Sequence, residues 1–369
     1  MDKPIRILHI LQRMEAGGTQ ALLMNLYRNI DRNKIQFDFL VEYPNKQFYD
    51  DEIKKLGGKI YYTNVRNDYN IFKFQKEIKK VIKENNYKIV HVHAYTIGYF
   101  ALKAAKECGV PVRIAHSHSN SMTNDMKKPL KKILQKLFLV HATDFMACSQ
   151  EAGRYLFKNK KFEILNNAID SKKFIFNNNT RDKIRKELNI NDSFVVGHVG
   201  RLKIEKNHKF IINVFKKIKD EKENSKLIFI GDGPYKKQIL DFVKKENLEE
   251  DVMVLGNKNN INEYLQAMDI FIFPSKYEGL GIAAIESQAA GTPIIISNGV
   301  PDETIISPIC FKMSLEENSY EEWAKKAINL SSSELSHSNM QKYVVEAGFD
   351  LKSTVNRIQE YYIKSYKED

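Results

Sequence analysis

Residues 194–210 read FVVGHVGRLKIEKNHKF: an apolar run, a glycine, a basic loop and the start of a helical pattern. The apolar side chains of FVVGHV do not alternate with polar ones, so the run fits a strand buried on both faces, as in a parallel sheet. KLIFIG at 226–231 is a second run of this kind, and residues 207–222 between them carry helical periodicity. Strand, helix and strand in that order form a βαβ unit.

Outward from this unit the same alternation covers the chain. Strands are predicted near 5–11, 36–41, 59–63, 88–92, 111–117, 143–147 and 162–165. A second series is predicted near 194–199, 226–231, 251–255, 269–274, 293–297 and 309–313, with another helix over 234–247. The polar stretch at 170–192 interrupts the series and a new one follows it. The expected fold class is therefore α/β, with two doubly wound Rossmann-like domains facing a central cleft. The domains are expected at 1–166 and 167–349. A helical pattern at 350–369 has no strand after it and is expected to return to the first domain.

A length of 369 residues suits two such cores, and the composition, 43% hydrophobic and 28% charged, is that of a globular protein. The longest apolar runs are strand-sized and too short to cross a bilayer. The N-terminus reads as a first strand and lacks a signal peptide's long apolar region. Cys108, Cys148 and Cys310 are odd in number and include no CxxC pair, which speaks against a disulfide framework or a zinc site and for a reducing compartment. A cytoplasmic protein is expected. The formal charge of +12 calls for an anionic partner: nucleic acid, lipid headgroups or a phosphorylated substrate.

Parallel sheets bind ligands at the carboxyl ends of their strands, and four clusters lie there. The first is Glu15-Ala16-Gly17-Gly18-Thr19-Gln20, two glycines opening a helix, where close backbone approach and unpaired amides suit an anion and an ordinary turn is the plain alternative. The second, Gly200 to Asn207, places Arg201 and Lys206 in one loop, a planar fork and a point charge able to close on a diphosphate, or else a solvated basic loop. The third runs from Pro274 to Pro293, with Glu278 and Glu286 flanking the helix start Gly279-Leu280-Gly281. Glu286 falls in the apolar segment IAAIESQAA, where a carboxylate needs a hydroxyl or a cation. The fourth is histidine: His91 and His93 in KIVHVHAY, His116 and His118 in VRIAHSHSNS. HxH on a strand puts both rings on one face, as a metal site would. No carboxylate or cysteine spacing completes a ligand set and the chain contains no Asp-x-Asp, so one histidine per strand acting by hydrogen bond is the preferred reading, the others being structural.

Together these residues resemble the retaining glycosyltransferases of the two-Rossmann-domain architecture called GT-B, and within it family 4. The resemblance runs almost end to end through GGTQ, the histidine after the fifth strand, ILNNAID at 164–170, GRLKIEKN, IGDGP at 230–234, LGNKNNINEYLQAMDIFIFPS and EGLGIAAIE. The last matches the family's Glu-x7-Glu signature. AHSHSNS and the layout are similar to transferases of bacterial capsule and exopolysaccharide clusters.

The resemblance implies a nucleotide-sugar donor, with UDP the expected nucleotide. It implies a saccharide or lipid-linked saccharide acceptor in cell-surface polysaccharide biosynthesis. Arg201 and Lys206 would bind the diphosphate with amides at Gly17, Gly18, Gly279, Leu280 and Gly281; Glu286 would hold the ribose and Glu278 the sugar hydroxyls. Gly231, Gly233, Asn257 and Lys258 would flank the base. His118, with His116 as second choice, would bond the sugar near the reacting carbon. No metal and no cofactor are expected, and retention would follow front-face attack. One departure is Asn167-Ala168, where relatives have Asn-Gly.

The stretch 127–139, KKPLKKILQKLFL, has an apolar stripe with Lys127, Lys128, Lys131, Lys132 and Lys136 off it. It reads as a surface helix, or as a basic amphipathic helix on the anionic inner face of the plasma membrane. Two rivals share the fold: a non-hydrolysing sugar-nucleotide 2-epimerase, which would need a carboxylate-rich site, and an inactive nucleotide-sugar-binding protein. Nucleic-acid binding lacks a reader motif.

Overall fold

The computed structural model describes residues 3–15, 18–93, 97–118, 137–316 and 319–367. The chain divides into two compact units, one of residues 1–168 and 351–369, the other of residues 169–350.

The first unit is built on a parallel sheet of seven strands in the order β3-β2-β1-β4-β5-β6-β7. They are β1 (Ile5–Leu11), β2 (Ile35–Val41), β3 (Ile60–Tyr62), β4 (Ile89–Val92), β5 (Val112–Ser117), β6 (Asp144–Ala147) and β7 (Glu163–Ile164). Side chains of β1 serve two cores in turn. Ile7 and Leu11 join an apolar cluster with Leu22, Phe37 and Tyr362, whereas Leu8 and Ile10 join one with Phe74, Ile78 and Phe138. Burial on both faces is why the strand, IRILHIL, shows no alternation of apolar and polar residues. The C-terminal helix, Leu351–Lys367, covers the first of these faces: Leu351, Val355, Ile358 and Tyr362 lie in that cluster. Gln359 Oε1 accepts from the amide of Asp31 at 3.0 Å.

The second unit carries a parallel sheet of six strands, β10-β9-β8-β11-β12-β13. These are β8 (Phe194–Val199), β9 (Ser225–Ile230), β10 (Val252–Val254), β11 (Ile270–Phe273), β12 (Ile294–Ser297) and β13 (Cys310–Met313). Along β11, Ile270 and Ile272 face a core containing Trp323, and Phe271 and Phe273 face one containing Leu265 and Ile285. In both sheets the strand order reverses once, between β1 and β4 and between β8 and β11, which opens a crevice at the carboxyl ends there.

All thirteen predicted strands are present, as are the helices His208–Glu221 and Lys236–Lys245. Ala168, which departs from the family's Asn-Gly, is buried in the first core and has no positive φ, so alanine fits without strain. Gly17 and the five lysines from Lys127 to Lys136 lie outside the described residues.

Candidate active site

In the second unit the predicted donor-site residues follow four adjacent strands at their carboxyl ends. Arg201 and Lys206 follow β8, Gly231 and Gly233 follow β9, Asn257 and Lys258 follow β10, and Glu278 to Gly281 follow β11. The segment after β8 is shaped locally. A short 3-10 turn, Ile204–Lys206, ends at Asn207, whose φ of 57° is one asparagine tolerates, and the helix His208–Glu221 starts there. Arg201 is exposed and Lys206 partly buried.

Lys206 Nζ makes an ion pair with Glu278 Oε1, which brings together two residues far apart in sequence. The same ammonium lies 4.8 Å from the ring centre of Phe273, a cation–π distance. A backbone bond ties the two segments, the amide of Lys276 donating to Glu205 O at 2.8 Å, and the amide of Glu278 donates to Gly299 O, after β12, at 3.0 Å.

Gly281, with φ of 76°, caps the helix Ile282–Ala289 in a left-handed conformation that glycine adopts at no steric cost. Glu286 stands on that helix, partly buried, and desolvation pushes its carboxyl up to about 7. A carboxyl so placed gains from a partner that donates hydrogen bonds to its charged form.

The glycines of IGDGP have a packing role that the sequence did not disclose. A Cβ on Gly231, whose φ is +134°, would stand 2.1 Å from Gly200 O, and one on Gly233 would stand 2.4 Å from Leu202 O. The turn after β9 lies flat on the segment that carries Arg201, with Leu202 N donating to Asp232 O at 3.0 Å. Beneath the basic loop are two buried histidines that sequence reasoning passed over. His198 Nδ1 meets Ile272 O at 2.9 Å, and His208 lies edge-on to it at 5.2 Å between ring centres. Burial holds both neutral, His208 down at about 4 and His198 well below its ordinary value.

In the first unit the histidines form two hydrogen-bonded rows on the face of the sheet under the C-terminal helix. One row runs from His9 Nδ1 to His93 Nε2 at 3.0 Å and from His93 Nδ1 to His118 Nε2 at 2.8 Å. The other runs from Tyr362 Oη to His91 Nδ1 at 2.7 Å and from His91 Nε2 to His116 Nδ1 at 3.0 Å. The rings of His116 and His118 stack at 3.9 Å. Desolvation lowers all five imidazoles, His9 and His118 to about 3 and His91, His93 and His116 well below their usual value, so they are neutral.

Two sets of three imidazole nitrogens, from His9, His91 and His93 and from His93, His116 and His118, lie within 4.8 Å of one another, close enough to hold a cation. Both nitrogens of His91 and of His93 are already engaged in hydrogen bonds, so a cation there would have to displace at least one of them. His9 and Tyr362 belong to these rows and were missed. The available signal was the match of His9 to His91 across β1 and β4, which a sequence read strand by strand does not expose.

Comparison with known proteins bears on both units. Residues 16–173 match the family model described as Glycosyltransferase Family 4, and residues 180–347 that described as Glycosyl transferases group 1. The chain is 36% identical to EpsF of Bacillus subtilis (strain 168), which bears a provisional glycosyltransferase name, over 81% of this chain and 80% of that one. It is 26% identical to the capsular polysaccharide biosynthesis glycosyltransferase CapH of Staphylococcus aureus, over 97% and 99%. To the UDP-Gal:alpha-D-GlcNAc-diphosphoundecaprenol alpha-1,3-galactosyltransferase of Escherichia coli it is 22% identical, over 97% of each chain. The fold is that of Anabaena HepE, crystallised in complex with UDP and glucose, with a TM-score of 0.77 at 17% identity over 97% and 99% of the two chains.

Proposed function

This chain belongs to the group 1, family 4 glycosyltransferases of GT-B fold, and we propose that it transfers a sugar from a UDP-linked donor to a lipid-linked saccharide, with retention of anomeric configuration, in the building of a cell-surface polysaccharide. The observation that carries the reading is the meeting of Lys206, Glu278 and the glycine-capped start of the Glu286 helix at the strand-order reversal of the second sheet. The polysaccharide setting is supported by the similarity to CapH, and the nucleotide and acceptor class by the similarity to the Escherichia coli galactosyltransferase.

The chemistry follows from the charges. As the glycosidic bond breaks, the departing diphosphate gains negative charge. Arg201 and Lys206, carried on one loop after β8, are the cations assigned to the diphosphate, and the amides at Leu280 and Gly281 add the positive end of a helix. Such preorganised groups stabilise a leaving group without a metal ion. Glu286 takes the ribose hydroxyls and Glu278 those of the sugar. No carboxylate is assigned as nucleophile, so the acceptor hydroxyl attacks from the face the phosphate leaves, and the phosphate oxygen receives its proton. By the family resemblance, His118 is the residue assigned to hydrogen-bond the sugar.

The test is a binding and transfer screen of the purified chain against UDP-, GDP- and ADP-sugars with EDTA present, beside Arg201→Ala and Glu286→Ala. Stabilisation by UDP-sugars alone, undiminished by EDTA and lost in both variants, is expected. Absence of binding by every donor to the folded protein would defeat the proposal, and activity lost on chelation would defeat its metal-free part.

A further inference from the structure

Behind His118 lies a buried row of polar groups that the reaction above does not use. It begins on the C-terminal helix at Tyr362, passes through His91 on β4 and ends at His116 on β5. Tyr362, His91 and His116 are all at most 1% exposed. Among the described residues His116 Nε2 is buried with no hydrogen-bond partner. A buried polar atom left without a partner is costly, so its presence asks for an explanation.

We propose that Tyr362 and His91 are positioning residues that set the proton of His116. In this arrangement Tyr362 Oη–H donates to His91 Nδ1, His91 Nε2–H donates to His116 Nδ1, and His116 is held as a neutral imidazole with its proton on Nε2. The row makes two hydrogen bonds in either direction, and either direction leaves one donor over. Run towards the helix, the leftover donor is the hydroxyl of Tyr362, sealed in the apolar cluster of Leu22, Phe37 and Val355. Run towards the strand end, it is the N–H of His116, stacked on the partly exposed His118. Only the second place lies at the carboxyl ends of the strands, where parallel sheets take their ligands. The neutral form follows from the surroundings: His91 is bonded to a phenol on one side and to the ring of His116 on the other, and neither partner carries a charge that would compensate an imidazolium.

The consequence, which rests on the transferase reading, is that the enzyme presents an uncharged N–H donor beside His118 to an oxygen of the bound donor or acceptor, a phosphate or hydroxyl oxygen. The row keeps it from turning into an acceptor.

The experiment is a two-bond 15N–1H correlation spectrum of the full chain labelled in histidine, each ring assigned by its substitution. His91 and His116 are expected in the Nε2–H form, unchanged from about pH 8 to about pH 5.5. Tyr362→Phe should shift both towards mixed tautomers and lower kcat about 10-fold, with donor Kd within about twofold. His91→Gln, whose amide accepts on one side and donates on the other, should keep the His116 signature and most of kcat, whereas His91→Leu should keep neither. Finding His116 with its proton on Nδ1, or Tyr362→Phe without effect on tautomer and kcat, would overturn the proposal, as would Gln and Leu at position 91 behaving alike. The spectra need no substrate, so a chain that binds and transfers nothing would defeat the transferase reading while leaving the direction of the row readable.

Discussion

Lys206 Nζ and Glu278 Oε1 hold each other in an ion pair whose two side chains are 19% and 12% exposed. These residues reach the same point from different strands, β8 and β11, and the proposed reaction gives them different tasks. A cation that is to meet a diphosphate is held by the carboxylate that is to meet the sugar.

That pairing makes a prediction. Glu278→Gln removes the competitor for Lys206, so UDP alone should bind as tightly as to the wild type or a few-fold more tightly, while transfer falls by about 100-fold. Lys206→Ala should weaken UDP by about 10-fold or more. Calorimetry with UDP and initial-rate kinetics separate the two effects. Equal weakening of UDP by both substitutions would make the ion pair a scaffold and not a competition.

The Glu286 carboxyl, at about 7 and raised from 4.5 by desolvation, gives a pH dependence with a definite sign. Its burial costs nothing well below the unfolded value and its full amount above the folded one. Glu286→Gln should therefore leave stability nearly unchanged at about pH 4.5 and raise it at about pH 8. The expected gain is about 1–2 kcal/mol, allowing for solvent beside a partly exposed group. Urea unfolding at the two pH values decides it. Ribose hydroxyls donating to the carboxylate favour its charged form, so UDP binding should release a proton. Affinity should then rise with pH until about 7 and level off, as calorimetry in buffers of different ionisation enthalpy would show.

Gly231→Ala places a methyl 2.1 Å from Gly200 O at a φ of +134°. A loss of about 2–4 kcal/mol is expected, together with weaker UDP binding because the Arg201 segment must move. Gly279→Ala is the stability control, since a Cβ there meets nothing within 4 Å. Thermal melts of the two variants should differ by many degrees, and a match between them would contradict the packing described.

The expectation that residues 127–139 lie on a membrane rests on sequence. Neutralising Lys127, Lys128 and Lys131 should reduce co-sedimentation with vesicles rich in anionic lipid, each lysine contributing about 1 kcal/mol near such a surface. An unchanged pellet would remove the inner-face location.

Much of this molecule was legible before any coordinates. The strands were, because FVVGHV, KLIFIG and IFIF are buried on both faces and so show no polar alternation that could be mistaken for another period. The basic loop and the Glu278–Gly281 turn were legible as types, since glycine and charge directly after an apolar strand have few structural uses. Their pairing was not: Lys206 and Glu278 are 72 residues apart, and only the adjacency of β8 and β11 makes them neighbours. The glycines at 231 and 233 look like ligand-approach glycines in sequence, while in space they are demanded by Gly200 O and Leu202 O.

By itself, then, the sequence determined which segments are strands and which residue types stand at their carboxyl ends, because burial and local conformation are written into nearest neighbours and short periods. Which of those ends meet was decided only by the tertiary structure. Strand order sets His9 against His91 and carries Tyr362, 271 residues further on, to His91. Hydrogen-bond direction and the raised Glu286 carboxyl are properties of surroundings assembled from distant parts of the chain, and no local pattern encodes them.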